Sequence, residues 1–479
     1  MKILEILKNV EYISIKGEEK DIESLAYNTS KVKKGSMFFC IEGFKTDGHI
    51  FAQKAVDSGA YAIVVSKDVE VKGNATIIKV KDTREAMALM SANFYGNVAD
   101  TMNIIGVTGT NGKTTSTFMI KSILDAYNKK TALLGTIYNI IGSKKEEAKR
   151  TTPESMDLQE MFYNMKKEGI EYCVMEVSSH SLELKRVYGV KFKAGIFTNL
   201  TQDHLDFHIT MENYFNAKMR LFDWCDVAVI NTDDEYGKRA AKSIEGKVIT
   251  FGIENEAQVM GENIVISEKG TNFNIKYEDK VLPISLNLPG KFNVYNALGA
   301  AAACIGIGIP IDCVKKGLES LEVVPGRSEK IISKKGFTIV IDYAHTPDGI
   351  VNILKTAREY TKGRLITLFG CGGDRDKTKR PLMGKAAGEL SDFCIVTSDN
   401  PRSEEPMAII GDILPGIDKT GCPYVIIEDR KQAIKYAIEN GKEGDVIVIA
   451  GKGHETYQIL KDKTIHFDER EIVWELLGE

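Results

Sequence analysis

The sequence predicts an α/β protein of three domains, and three observations lead there. The chain has 479 residues, where a domain takes roughly 100–200. Short apolar runs alternate with helical patterns through two long stretches, as parallel sheets require. One run, at 103–108, passes straight into a glycine loop and a hydroxyl-rich helix start, "NIIGVTGTNGKTTST".

Taken in order, residues 1–98 make a smaller α/β N-terminal domain. Its strand-like runs are "GSMFFCIEG", "AYAIVV" and "ATIIKV", and it closes at "FYGNVADTM". Residues 99–327 make a central domain, with strands at 103–108, "TALLGT", "YCVMEV", "AGIFTNL" and "DVAVIN". Alternation with helices predicts a parallel sheet there. It closes near the small-residue helix "LPGKFNVYNALGAAAACIGIGI" and "VVPGR". Residues 328–479 alternate again, through "FTIVIDY", "RLITLFG", "DFCIVTS", "YVIIED" and "DVIVIAG". That is a doubly wound, Rossmann-like pattern.

Composition narrows the function. Net charge is −4 with both signs interspersed, which gives no basis for nucleic-acid binding. The eight cysteines form no Cys-x-x-Cys pair, so neither a zinc site nor a disulfide framework is indicated. Buried or partly buried reduced thiols are expected instead. No stretch approaches the roughly 20 apolar residues of a membrane span. The N-terminal "MKILEILKNVEYISIKGEEK" has no sustained apolar leader core. The expectation is a cytoplasmic monomer acting on small molecules, with no nucleic-acid partner and no membrane span.

The loop Gly109, Thr110, Asn111, Gly112, Lys113, Thr114, Thr115 is built for phosphate. Backbone N–H groups and a helix N-terminus favour oxyanions. Lys113 adds a point charge, and Thr114 stands where a hydroxyl ligates Mg²⁺. A strict Walker A loop carries glycine five residues before the glycine of its Gly-Lys pair. Val107 occupies that place, so the loop is a specialised one.

Ordered motifs then carry a resemblance. "GTNGKTT", "TTP" (151–153), "MEVSSH" (175–180), "FTNLTQDHLDFH" (197–208), "NVYNALGA" (293–300) and "PGR" (325–327) are followed by "DYAHTPD" (342–348). "GCGGDRDKTKRP" (370–381), "SDNPRSEEP" (398–406) and "GKGHE" (451–455) complete the set. Together they resemble the Mur ligase family, ATP-dependent amide-forming enzymes of bacterial cell-wall synthesis. The likeness runs along essentially the whole chain and is strongest to the tripeptide-forming members. It implies that the central domain is a P-loop ATPase, with ATP and Mg²⁺ as cofactors.

An amide made from a carboxylate needs the acid activated, and ATP can phosphorylate it. The negative charge that develops calls for metal ions and cationic side chains. Glu176 ends a strand at the sheet edge where ligands bind in α/β folds, and a carboxylate suits Mg²⁺. By resemblance it joins Thr114 at the ATP-bound metal, and His204 ligates a second one. Lys218, in "YFNAKMRLF", reads from its pattern alone as a solvated helix lysine. Family members carry a carbamylated lysine at the matching position, an anionic oxygen ligand. Lys113, Glu176, His204 and Lys218 are the expected catalytic set. Asn296, Arg327, Asp342 and His345 resemble the family's ATP contacts.

The resemblance also implies two substrate sites. A UDP-linked sugar-peptide would be held by Tyr27, Thr29, Phe44, Lys45, Thr46, Thr151, Thr152, Ser178 and Arg186. Here the family often reads Asp-Ser-Arg where this chain has Asn28-Thr29-Ser30, and Leu184 replaces a usual glutamine. The tetrad Asp399, Asn400, Pro401 and Arg402 marks members that add meso-diaminopimelate, whose distal carboxylate an arginine can grip bidentately. Arg375, Gly451 and Glu455 resemble further contacts, with Glu455 facing the distal ammonium. The alternatives are a lysine-adding ligase and a folylpolyglutamate synthase-like ligase. A nucleotide-binding protein without turnover is a third, from a different class.

Overall fold

The computed structural model describes residues 1–44 and 46–478. The described chain falls into two compact units. The first comprises 1–106, 129–193 and 220–226; the second comprises 107–128, 194–219 and 227–479.

In the first unit a five-stranded sheet runs in the order Ser14–Lys16, Thr76–Lys79, Ala60–Val65, Ser36–Phe39, Ser24–Ala26. Ser14–Lys16 is an antiparallel edge, and the other pairs are parallel. All four residues of Ser36–Phe39 are buried, as a strand covered on both faces requires. Helix Thr83–Phe94 packs with it, capped by Asp82, whose carboxylate accepts the N–H groups of Arg84 and Glu85. The same unit holds the parallel pair Thr131–Leu134 and Tyr172–Glu176, extended by the hairpin strands Tyr138–Ile141 and Lys144–Glu147.

In the second unit, strands Ala194–Phe197, Val227–Asn231 and Lys247–Gly252 pair in parallel. Three further strands, Val259–Ser267, Gly270–Tyr277 and Lys280–Leu286, continue the sheet as an antiparallel meander. The central helices are Lys113–Ala126 and the alanine-rich Lys291–Gly306, which sequence reading placed correctly. A separate six-stranded sheet runs in the order Glu329–Ile332, Thr338–Asp342, Val446–Ala450, Leu365–Phe369, Phe393–Val396, Tyr424–Ile426. Its last five strands are parallel and the first is an antiparallel edge. Two apolar clusters cover its faces, one around Ile353, Phe369 and Ile413, the other around Phe337, Ile434 and Val473. The carboxyl ends of the parallel strands open at Tyr343, Gly370, Thr397 and Gly451. Those four points lie in or beside the motifs that sequence reading assigned to ATP and to the amino-acid substrate.

Candidate active site

The phosphate loop is braced by the segment after strand Ala194–Phe197. Thr198 donates its hydroxyl to the Asn111 carbonyl at 2.6 Å, and the Asn199 side chain accepts the Asn111 N–H at 2.9 Å. The Thr110 N–H reaches the Asn199 carbonyl at 3.0 Å. Gly109 (φ 148°) and Gly112 (φ 86°) lie so close to Thr198 Oγ1 and Asn296 Oδ1 that neither admits a Cβ. Asn296 therefore supports the loop from beneath, with its amide donating to Asn293 at 3.1 Å. These bonds tie the loop and "FTNLT" together.

Two amines meet on one oxygen. Lys113 Nζ donates to the carbonyls of Gly109 (2.9 Å) and Thr110 (2.8 Å), and Lys218 Nζ donates to Gly109 at 2.8 Å. Lys218 is only 1% exposed, so the solvated lysine that its local pattern suggested is corrected. It lies on helix Met211–Met219 with its ammonium 4.5 Å from the Tyr214 ring centre. Burial first, then the charge of Lys113, pushes it well below the usual lysine range against an opposing pull from Asp203. Both effects disfavour its charged form.

His204 (φ 54°) and Ile209 (φ 69°) are both left-handed and bracket the short helical turn Leu205–His208. A β-branched residue there costs of order 1–3 kcal/mol. Neighbours hold the turn in place: the His208 ring stacks on Tyr214 at 4.9 Å and 24°.

Arg327 donates to Thr114 Oγ1 at 3.1 Å and lies over the Tyr343 ring at 4.5 Å. Its Nε is buried without a hydrogen-bond partner among the described residues. An orphaned guanidinium N–H beside the loop threonine is the feature a phosphate oxygen would satisfy. Asp342 is engaged differently. Its carboxylate accepts the N–H groups of Ser328 (2.7 Å) and Ala344 (2.8 Å), and burial raises it against the pull of Arg327. It shapes the turn that presents His345. The loop also reaches the C-terminal segment directly, through Asn111 Nδ2 to Asp348 at 2.8 Å.

Sequence reading missed the charge centre of this region. Asp203, 5% exposed, has Nε2 of His204 at 3.4 Å, Nε2 of His345 at 3.7 Å and Nζ of Lys379 at 3.4 Å. Burial alone would raise its carboxyl. The imidazole of His345 and the charges of His204 and Lys379 outweigh that and hold it well below the usual range. Lys379 is itself 5% exposed, so removing Asp203 strands a buried cation. Asp203→Asn is expected to lower unfolding stability by about 3–5 kcal/mol, and Lys379→Met in the same chain to recover most of that. Denaturant unfolding of the two single variants and the double variant measures it. Additive losses would show that the pair does not act as one.

At the carboxyl ends of the C-terminal sheet, Arg402 (φ 52°) donates to the Gly373 carbonyl at 2.7 Å. Arg402 Nη1 and the Arg375 stem both converge on the bare face of Gly372. Arg375 is exposed and donates to the Asp374 carbonyl at 3.1 Å. Asn400 Nδ2 donates to Glu455 Oε2 at 2.9 Å. Fully buried Lys452, also missed, donates to Asn400 Oδ1 (3.2 Å) and Glu455 Oε2 (2.9 Å). Asp399 accepts the Asn400 N–H at 2.6 Å, and Gly451 (φ 121°) lets the chain pass against its other oxygen. Asp399 and Asn400 thus set the loop, Pro401 is buried in it, and Arg402 and Glu455 bring opposite charges to its mouth.

His454, between Gly453 and Glu455, packs its ring 4.8 Å from that of Tyr343. Burial, then the charges of Arg327, Arg470, His345 and Lys452, push it down from 6.5 to about 3. The folded value lies below the unfolded one, so the unfolded chain binds the proton more tightly. Stability is therefore full above pH 6.5 and falls progressively toward pH 3. His454→Gln is expected to flatten that part of the stability–pH curve by up to about one proton. Identical slopes for both chains in unfolding titrations would contradict this.

The first unit gathers the residues expected to hold the sugar-peptide. Thr152 donates to the Glu176 carbonyl at 2.8 Å and accepts the Ser178 N–H at 3.1 Å. Thr136 bridges Thr151 Oγ1 (3.1 Å) and Glu176 Oε2 (2.9 Å), while its N–H donates to Glu176 Oε1 at 2.8 Å. Glu176, 1% exposed, ends its strand as expected. Arg186 donates to the Thr152 carbonyl at 3.3 Å and pairs with Glu154 at 3.0 Å. Arg84 and Arg150 share that carboxylate, so three guanidiniums surround one acid beside Thr152. Tyr27 donates to Asp157 at 2.5 Å. Thr29 starts a short helical turn capped by Asn28; Phe44 and Thr46 lie in an exposed turn closed by Gly43 N–H to Thr46 O at 3.1 Å. Lys45 lies outside the described residues.

Family models match along the chain: the Mur ligase middle domain at 107–304, the Mur ligase glutamate ligase domain at 326–453 and the Mur ligase family catalytic domain at 21–95. The chain belongs to the Mur ligase family. A Clostridium botulinum protein named UDP-N-acetylmuramoyl-L-alanyl-D-glutamate--2,6-diaminopimelate ligase is 56% identical, with 99% of each chain covered. One of the same name from Clostridioides difficile is 47% identical, with 100% of each covered. A solved structure of a ligase of that name superposes with TM-score 0.71 at 32% identity, covering 100% of this chain and 99% of the other. The α/β three-domain class agrees with that likeness. MurF from Thermotoga maritima, solved in complex with ADP, shares the fold at TM-score 0.66 and 19% identity, covering 95% of this chain and 97% of that one.

Proposed function

We propose that this chain is an ATP-dependent ligase that adds meso-diaminopimelate to UDP-N-acetylmuramoyl-L-alanyl-D-glutamate in peptidoglycan synthesis. The acceptor carboxylate takes the γ-phosphoryl of ATP, releasing ADP. The amine attacks the acyl phosphate, and phosphate leaves as the amide forms. What supports this reading most is the carboxyl edge of the C-terminal sheet, which carries Arg402, bonded to the Gly373 carbonyl, Arg375, exposed beside Asp374, and the carboxylate of Glu455, held by Asn400 and Lys452. That is the charge complement of a distal amino-acid end, carboxylate to arginine and ammonium to glutamate. The names of relatives at 47–56% identity support it.

In this reading Lys113, Arg327 and the loop N–H groups, Gly109 to Thr115, bind and orient the phosphates. His345 and Asn296 line the nucleotide side, with Asp342 setting the turn. Thr151, Thr152, Ser178 and Arg186 hold the sugar-peptide, while Tyr27, Thr29, Phe44, Lys45 and Thr46 serve the uridine end. Arg375, Asp399, Asn400, Pro401, Arg402, Gly451 and Glu455 form the diaminopimelate site. The Thr114 hydroxyl and the Glu176 carboxylate are each oxygen donors of the kind that the Mg²⁺ of a bound nucleotide takes. His204 and Lys218, once carbamylated, would hold a second. Bound there, magnesium would neutralise phosphoryl charge. The proposed boundaries are 1–98, 99–327 and 328–479, in a monomeric cytoplasmic protein; no described helix is long and apolar enough to cross a membrane.

Phosphate release from ATP with the UDP-dipeptide, measured with diaminopimelate, with lysine and with neither, tests the reading. Release should depend on diaminopimelate. Equal rates with lysine would overturn the amine assignment, and release without any amine would overturn amide formation.

A further inference from the structure

The C-terminal sheet carries a pair of thiols that the proposed reaction does not use. Cys394 lies on strand Phe393–Val396, and Cys422 just precedes the adjacent parallel strand Tyr424–Ile426. Their sulfurs are 3.8 Å apart. The Cys394 N–H donates to the Pro423 carbonyl at 3.0 Å, which fixes the two backbones side by side. Bond formation brings the sulfurs from 3.8 Å to about 2.05 Å. Cys394 is fully buried, whereas Cys422 is 9% exposed. Cys422 stands between exposed Gly421 (φ 71°) and exposed Pro423, on the solvent side of the pair.

The pair is also electronically unequal. Sharing one hydrogen bond, together with burial, raises the Cys394 thiol, while the same bond lowers Cys422. Of the two, Cys422 is the more readily ionised and the more exposed, so it is the one to attack first.

We propose that Cys394 and Cys422 form a redox-active dithiol that closes to a disulfide on meeting a low-molecular-weight disulfide. The Cys422 thiolate attacks one sulfur of the reagent and expels the first thiolate. Cys394 then gives up its proton and attacks Cys422, expelling the second. Two protein thiols become one disulfide, two electrons pass to the reagent, and the two protons go to its released thiols. The bond closes a loop 28 residues long in sequence separation, which constrains the unfolded chain.

The full chain, incubated with oxidised glutathione, alkylated and peptide-mapped, tests this without reading any ligase activity. The expected result is a cross-link joining the Cys394 and Cys422 peptides, with a mass loss of two hydrogens and full reversal by dithiothreitol. The thermal midpoint of the oxidised chain should rise by several degrees. In Cys422→Ser, Cys394 should stay alkylatable. A lasting glutathione adduct on Cys422 with Cys394 free would overturn the proposal. So would linkage of another pair, or no reaction until the chain unfolds. The wild-type map decides by itself if the variant fails to fold.

Discussion

Lys218→Ala is expected to lower ligase turnover by roughly a thousandfold, with added bicarbonate failing to restore it. The lysine is buried, donates to the same carbonyl as Lys113 and is pressed toward its neutral form by burial and by that second charge. A neutral amine adds CO₂ and loses a proton, which turns it into an anionic oxygen donor beside the phosphate loop. Stability should move the other way. An amine held in a low-dielectric site contributes little to folding, so Lys218→Met, which keeps the packed stem, should unfold no earlier than the wild type. Lost turnover with retained stability separates chemistry from structure. Wild-type turnover in Lys218→Ala would end the carbamate assignment.

Arg402→Ala is expected to raise the KM for diaminopimelate roughly ten- to hundredfold, since hydrogen bonds to charged groups contribute about 1.5–3 kcal/mol each. The KM for ATP should stay within about twofold, because Arg402 bonds Gly373 and lies at the C-terminal strand ends, not at the phosphate loop. Its left-handed backbone (φ 52°) aims the side chain across Gly372. Arg402→Lys should recover only part of the loss, since an ammonium cannot make the two-pronged contact. A KM for ATP that rises in step with that for the diamino acid would show a collapsed loop instead of a lost carboxylate contact.

The parallel strands were legible in the sequence because strands covered on both faces become unbroken apolar runs, as at Val446–Ala450. The meander at 259–286 was not. Its strands bury alternate residues and keep water on one face, so polar side chains interrupt every run. Sites divided in the same way. The loop 109–115 is local in sequence and was readable from spacing. Lys218 was not readable, since its carbonyl partner lies 109 residues away and its neighbours on the helix resemble those of any solvated lysine. Asp203 with Lys379, separated by 176 residues, left no local mark either. Lys452 was hidden for a third reason: its motif drew attention to Gly451 and Glu455, while burial between Asn400 and Glu455 is a property of the folded strand ends. Asn296 and Asp342 matched a family pattern of nucleotide contacts, and the packing of Asn296 on Gly112 and the bond of Asp342 to Ser328 join residues too far apart in sequence to be read from it.

The most direct measurement follows oxygen. With ¹⁸O in the acceptor carboxyl of the UDP-dipeptide, phosphorylation of that acid and its displacement by the amine carry one labelled atom into each orthophosphate released. Phosphate carrying ¹⁸O in step with amide formation is the predicted result. Amide formed while the phosphate stays unlabelled would contradict the acyl-phosphate route.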